Sequence, residues 1–145
     1  MSNPDKLAST LAVTSYDLDP DATTAKEVAW VDMRDFDSLL VQFVRTVGTS
    51  NLTLKIMGNT ASDGSGTDVD IITKTITDEP NAVGDFVFVE TDRHQIAQKA
   101  GAAGVEGVRY VTAVTTFATG TDEGVVNYIR RGLRPHDGLS ADTVA

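Results

Sequence analysis

The sequence predicts a mainly β fold, an antiparallel β-sandwich or jelly-roll-like barrel of about eight strands with one short α-helix. Three observations lead there. Short runs rich in β-branched and aromatic residues recur between clusters of Gly, Ser, Asp and Asn. Within those runs apolar and polar residues alternate with a period of two, which a half-buried strand satisfies and a helix does not. Only one segment carries helix start and stop signals.

Taken in order, LASTLAV and EVAWVDM predict two strands around the acidic segment SYDLDPDAT. SLLVQFVRTV, from Ser38 to Val47, puts Leu39, Val41 and Phe43 on one face with Gln42 and Thr46 opposite. NLTLKIMG alternates in the same way, with Leu52, Leu54 and Ile56 against Thr53, Lys55 and Met57. Gly48 to Asn51 lies between them as a short polar turn, so the two runs are expected to form a hairpin. The run NTASDGSGTD reads as an exposed loop, and a strand resumes from Val69 to Ile76. GDFVFVE is apolar on both faces. That predicts either a central strand covered on both sides or a strand with one face in a subunit contact. DRHQIAQKAGA is the one helix, with Asp92 as N-cap, Gln95 three residues on as in a capping box, and Gly101 as its end. VRYVTAVTTFA and VVNYIRRGL supply the last two strands.

A chain of 145 residues is expected to form one domain spanning 1–145, with a flexible N-terminal arm at about residues 1–8 and a C-terminal tail at about 137–145. It carries 12 basic and 21 acidic residues for a formal net charge of -9, which repels a phosphate backbone and argues against general nucleic-acid binding. No apolar run is long enough for a membrane span. The chain has no cysteine, so disulfides, thiolate metal sites and cysteine nucleophiles are excluded, in keeping with synthesis in a reducing cytoplasm. The opening MSNPDKLAST lacks the pattern of a secretory signal.

The chemistry-bearing motifs are weak. His94 and His136 are the two histidines, and neither sits in a recognised nucleophile motif. Gly101, Gly104 and Gly107 follow a helix and precede a strand, the reverse of a phosphate-binding loop. Asp17, Asp19, Asp21 and Asp63, Asp68, Asp70 are carboxylate clusters without EF-hand spacing, read first as solvated turn residues. No catalytic, cofactor-binding or metal-binding residue is assigned, and no cofactor is expected. Aromatic residues, Trp30 and Tyr128 among them, are read first as core or interface anchors. Arg130, Arg131, Arg134 and His136 gather near the C-terminus, opposite in sign to Asp17, Asp19 and Asp21. They are either solvated ends or complementary docking patches between subunits.

The segment LLVQFVRTVGTSNLTLKIMGNTASDGSGTDVD resembles small virion structural proteins of tailed bacteriophages, in which a strand ending in a Val-Gly turn precedes a strand of the LTLKI type and a polar segment. VRYVTAVTTFATG and the final strand running into Arg134, Pro135 and His136 are similar to the C-terminal half of the same group. The resemblance extends from about Ser38 to His136, and the insertion EPNAVGDFVFVETDRHQIAQKAGAAG departs from it. It implies a non-enzymatic decoration or cement protein on the outer surface of a capsid. The implied partners are the major capsid protein and further copies of the chain, as a trimer or, less favoured, a dimer. On that reading Asn3, Asp5 and Lys6 of the arm, with Trp30, Arg130, Arg131, Arg134 and His136, are the candidate interface residues. Competing readings are a tail or head-to-tail joining component, a carbohydrate-binding sandwich with exposed aromatics such as Trp30 or Tyr128, and a hydrolase with His94 in a carboxylate-lined cleft.

Overall fold

The structure, a computed structural model, describes residues 11–18, 26–27, 29–77 and 82–132. It is mainly β, as predicted: two antiparallel sheets and one helix. In chain order the elements are β1 (Leu11–Leu18), β2 (Lys26–Glu27), β3 (Val31–Asp32), β4 (Ser38–Val47), β5 (Leu52–Asn59), β6 (Val69–Ile76), β7 (Phe86–Asp92), α1 (Arg93–Ala102), β8 (Tyr110–Phe117) and β9 (Glu123–Arg131). One sheet has the order β1-β9-β4-β7 and the other β2-β8-β5-β6, with β3 also on β8. Because β2 and β3 share one edge of β8, they act as two pieces of a single edge strand.

Alternation builds the core. Leu39, Val41 and Phe43 of β4 and Val126 and Tyr128 of β9 face inward from the first sheet, while Leu52, Leu54 and Ile56 of β5 and Val111, Ala113 and Phe117 of β8 face them from the second. Each large apolar side chain buried this way contributes about 1.5–3 kcal/mol. Phe43 and Phe117 meet across the layers, ring centroids 5.7 Å apart and tilted by 56°. Tyr128 also crosses: its hydroxyl accepts the Ala113 N–H at 2.7 Å, at the place where the β8 edge lies between its β2 and β3 partners. A fully buried phenol thereby replaces a missing ladder bond.

The capping prediction for the helix holds, since the Asp92 carboxylate accepts the Gln95 N–H at 2.7 Å. The helix continues past Gly101 to Ala102. Gly104, at φ 68°, then closes it: Val105 N–H donates to Ala100 O, and Gly104 N–H to Gly101 O.

Four expectations are corrected. First, β4 and β5 are not a hairpin: they belong to different sheets, and Gly48 to Asn51 turns the corner between them. Alternation reports which face is buried and not which strand lies alongside. Second, β1, described over Leu11–Leu18, takes in Ser15, Tyr16 and Asp17, assigned above to an acidic segment, while residues 7–10 of LASTLAV lie outside the described residues. β1 pairs with β9 along its whole length, and that ladder overrides the poor strand propensity of Asp. Third, EVAWVDM is two short pieces with Trp30 between them. Fourth, β7 is a sheet edge and not a central strand.

Candidate interaction surface

The inward parity of the first sheet dictates its outer face. Phe86, Phe88 and Glu90 of β7 lie beside Val44, Gln42 and Leu40 of β4. These in turn lie beside Val125, Asn127 and Ile129 of β9. On the far edge Ser15 and Val13 of β1 complete the rows through Asn127 and Ile129. Two rows are therefore dominated by apolar groups, separated by a polar row. The polar row is linked internally: Ser15 Oγ donates to Asn127 Oδ1 at 2.6 Å, and Asn127 Nδ2 donates to Gln42 Oε1 at 2.9 Å. Phe86 and Phe88 pack edge to face, centroids 5.2 Å apart, yet remain 55% and 42% exposed. Val13 is 64% exposed. A largely apolar face whose polar row is bonded within itself offers a partner mainly apolar contact.

The outer face of the second sheet differs. Lys55 pairs there with Asp70 at 2.9 Å, while Lys74 of the edge strand β6, opposite core Leu54, is exposed on the other parity. The carboxylates Asp63, Asp68 and Asp70 do not converge. Asp63 accepts from Ser65 N–H, Asp68 from Asn59 Nδ2, and Asp70 from Lys55. Among the described residues no group of three such side chains is arranged to hold a metal ion.

The arginines predicted for an interface fall in different environments. Arg130 is half-buried; its Nη1 donates to Asp32 O at 2.8 Å and its guanidinium lies 4.6 Å from the Phe36 ring centroid. Arg131 is exposed at the end of β9, where its carbonyl accepts the Asp37 N–H. Trp30 is half-buried against the loop after β5. A Cβ on Gly64, which has φ 73°, would come within 2.5 Å of its indole nitrogen, so only glycine fits beneath the ring. Asn3, Asp5, Lys6, Arg134 and His136 lie outside the described residues. His94 is exposed on α1.

From the sequence, Arg34, Arg45 and Arg109, within or next to strands, are open to ion pairing with carboxylates inside the subunit or across an interface; Arg45 and Arg109 both pair inside it. Arg45, only 1% exposed, donates through Nη1 to Asp122 Oδ2 at 2.7 Å, and the same oxygen accepts from Ser50 N–H and Ser50 Oγ. Burial pushes the Asp122 carboxyl up, but the Ser50 hydrogen bonds and the Arg45 guanidinium outweigh it and hold the group below its ordinary value. Gly48 approaches this knot so closely, at φ 86°, that a Cβ would sit 1.9 Å from Asp122 Oδ1. Strand parity explains why the first pair is buried: Arg45 follows Leu39, Val41 and Phe43 on the inward face, and a buried guanidinium requires a carboxylate. The second pair is bidentate, Arg109 to Asp32, with Nε to Oδ1 at 2.7 Å and Nη2 to Oδ2. The Arg109 hydrogen bond is the main reason that the Asp32 carboxyl is lowered.

Beside this pair a cavity of about 260 Å³ is lined by Met33, Ile96, Ala97 and Val108 together with Arg34, Arg93 and Arg109. Two of its three guanidinium groups make short hydrogen bonds, and Arg34 lies 3.8 Å from Asp35. Arg109 holds Asp32, and Arg93 donates to the Phe36 and Arg34 carbonyls. The cavity is thus a seam between α1 and the β3–β4 connection rather than a charged receptor.

No protein-family profile matches the chain, and no curated protein matches it by sequence. Among solved structures it is similar to a protein of Bacillus endospore appendages, described as disulfide-linked pili, with TM-score 0.43 and 16% identity over 86% of this chain and 90% of that one. It is also similar to the SPBc2 prophage-derived protein YomS, with TM-score 0.44 and 16% identity over 83% and 94%. A third is the Yersinia pseudotuberculosis-derived mitogen, with TM-score 0.45 and 9% identity over 89% and 92%. Similarity at this level transfers no function.

Proposed function

We propose that this chain is a structural virion protein, made in the host cytoplasm, that decorates the outer surface of a tailed-phage capsid by binding the major capsid protein and copies of itself. It acts by docking and not by catalysis. The observation that carries this reading is the largely apolar outer face of the four-stranded sheet, its polar row internally linked, with Phe86 and Phe88 at its edge. The residue-level resemblance to phage virion proteins supplies the setting.

Magnitudes favour a repeated lattice over a single tight complex. Four strands about 4.8 Å apart, carrying three rows of side chains about 6.8 Å apart, make a patch of roughly 400 Å². Docked, it buries roughly 800 Å² in total, below the ~1,200–2,000 Å² of a stable standalone interface. Many such contacts on one shell compensate through multivalency, and each copy that binds only the assembled state stabilises it.

The test is co-sedimentation with expanded shells at micromolar concentration. The wild-type chain is expected to pellet with shells, and a Phe86→Ser/Phe88→Ser variant is expected to stay in the supernatant. Absence of wild-type binding removes the decoration reading; label found by electron microscopy on tails or at the portal favours a joining component instead. A carbohydrate-binding role loses one of its two anchors, because Tyr128 is fully buried and engaged with Ala113.

A further inference from the structure

We infer that β7 is a self-pairing edge, at which two copies join antiparallel about a two-fold axis passing beside Phe88 to make one continuous eight-stranded sheet. The flanking hydrogen bonds define which way each β7 residue points. Arg45 N–H donates to Asp85 O at 2.9 Å and Arg93 N–H donates to Asp37 O at 2.8 Å, both in register with the β4–β7 ladder. Residues alternate in an antiparallel ladder, so Val87, Val89 and Thr91 turn their main-chain groups toward β4. Phe86, Phe88 and Glu90 therefore turn theirs to the free side, where no hydrogen bond from another described residue meets them. Such a row of unfilled donors and acceptors specifies a strand as its occupant.

The pattern of β7 selects a second copy as that strand. With the axis at Phe88, the two Phe88 residues face each other and each Phe86 faces Glu90 of the second copy. The aromatic rings then form one cluster across the seam. The two glutamates stay at opposite ends. A shift that centres the axis on Glu90 sets like charges against each other, and one that centres it on Phe86 shortens the ladder. β7 also carries fewer of the features that blunt an edge. It has no Lys, no Pro and an unbroken ladder with β4, whereas β6 carries exposed Lys74 and Asp70 and a register shift against β5. Joining two copies doubles the outer face from roughly 400 to roughly 800 Å², so one dimer docked on a flat partner buries roughly 1,600 Å², the size of a stable interface.

Pairing requires no shell, so its failure is distinguishable from failure of the decoration reading. Because the chain has no cysteine, single-cysteine variants of the full chain report one position each. Residues facing each other in a hydrogen-bonded pair have Cα atoms about 5.5 Å apart, within disulfide range. Under mild oxidation Phe88→Cys is expected to give a covalent dimer at least about tenfold faster than Lys99→Cys, an exposed control on α1. Phe86→Cys and Glu90→Cys are each expected to remain uncrosslinked alone and to crosslink when mixed. Sedimentation is expected to show a dimer that Phe88→Lys converts to monomer with an unchanged circular dichroism spectrum. A wild-type monomer at 100 micromolar (~0.1 mM, the upper end of ordinary association assays), an oligomer that survives Phe88→Lys, or crosslinking indifferent to this register overturns the inference.

Discussion

The corner between β4 and β5 and the open side of β7 lie on neighbouring strands and treat polar groups in opposite ways. At the corner, Arg45, Ser50 and Asp122 are folded inward and bonded to one another, with Gly48 closed over them. Along β7, alternate main-chain groups face outward and two phenylalanines stand exposed. A protein completes its hydrogen bonding within itself where the geometry must not move. It leaves bonding incomplete where another chain is to finish it. The contrast predicts that substitutions at the corner change stability and those at the edge change association.

Asp122→Ala carries the largest expected effect. It leaves the Arg45 guanidinium buried without its carboxylate, at a cost of about 3–5 kcal/mol. Urea denaturation would measure it, and a loss below about 1 kcal/mol would show that water or another group solvates Arg45 freely. Gly48→Ala comes next, at about 1–3 kcal/mol, because it combines left-handed backbone with a collision against Asp122.

Acid titration sharpens the comparison further. The Asp122 and Asp32 carboxyls are lowered on folding, so the stability they confer is present above the unfolded carboxylate pKa and is lost as pH falls through the folded one. Thermal melts from pH 7 down to pH 2 are expected to fall most steeply below about pH 4, the ordinary Asp range. An Asp122→Asn variant is expected to show a shallower fall; an identical slope would remove Asp122 as the titrating group. The smallest expected effect is that of Phe88→Lys on folding, within about 0.5 kcal/mol, since the side chain is on the surface. A larger loss would mean that Phe88, unlike Val89 of the same strand, is held for the fold and not for an interface.

Much of the local structure was legible from residues alone. β4 and β6 occupy the predicted residues, because strict alternation admits one pleated reading, and Asp92 caps α1 because its carboxylate is placed to accept the Gln95 amide. Sheet membership was not legible. The residues between Val47 and Leu52 look like a hairpin turn, and only the ladders of β4 with β9 and β5 with β8 show that they join two layers. The candidate surface was half legible. The double-sided apolar character of GDFVFVE pointed to a subunit contact as one of two readings, but only the sheet order put Phe86 and Phe88 at an edge.

By itself, the sequence determined which residues alternate and where the helix starts, since these depend on neighbours within a few positions, and, having no cysteine, that the chain carries no thiol. Tertiary structure alone decided which strands lie side by side, that Arg45 meets Asp122 across 77 residues, and which strand is left at the rim. Those outcomes depend on packing between distant segments, where many pairings share the same local pattern and the burial of particular side chains selects one.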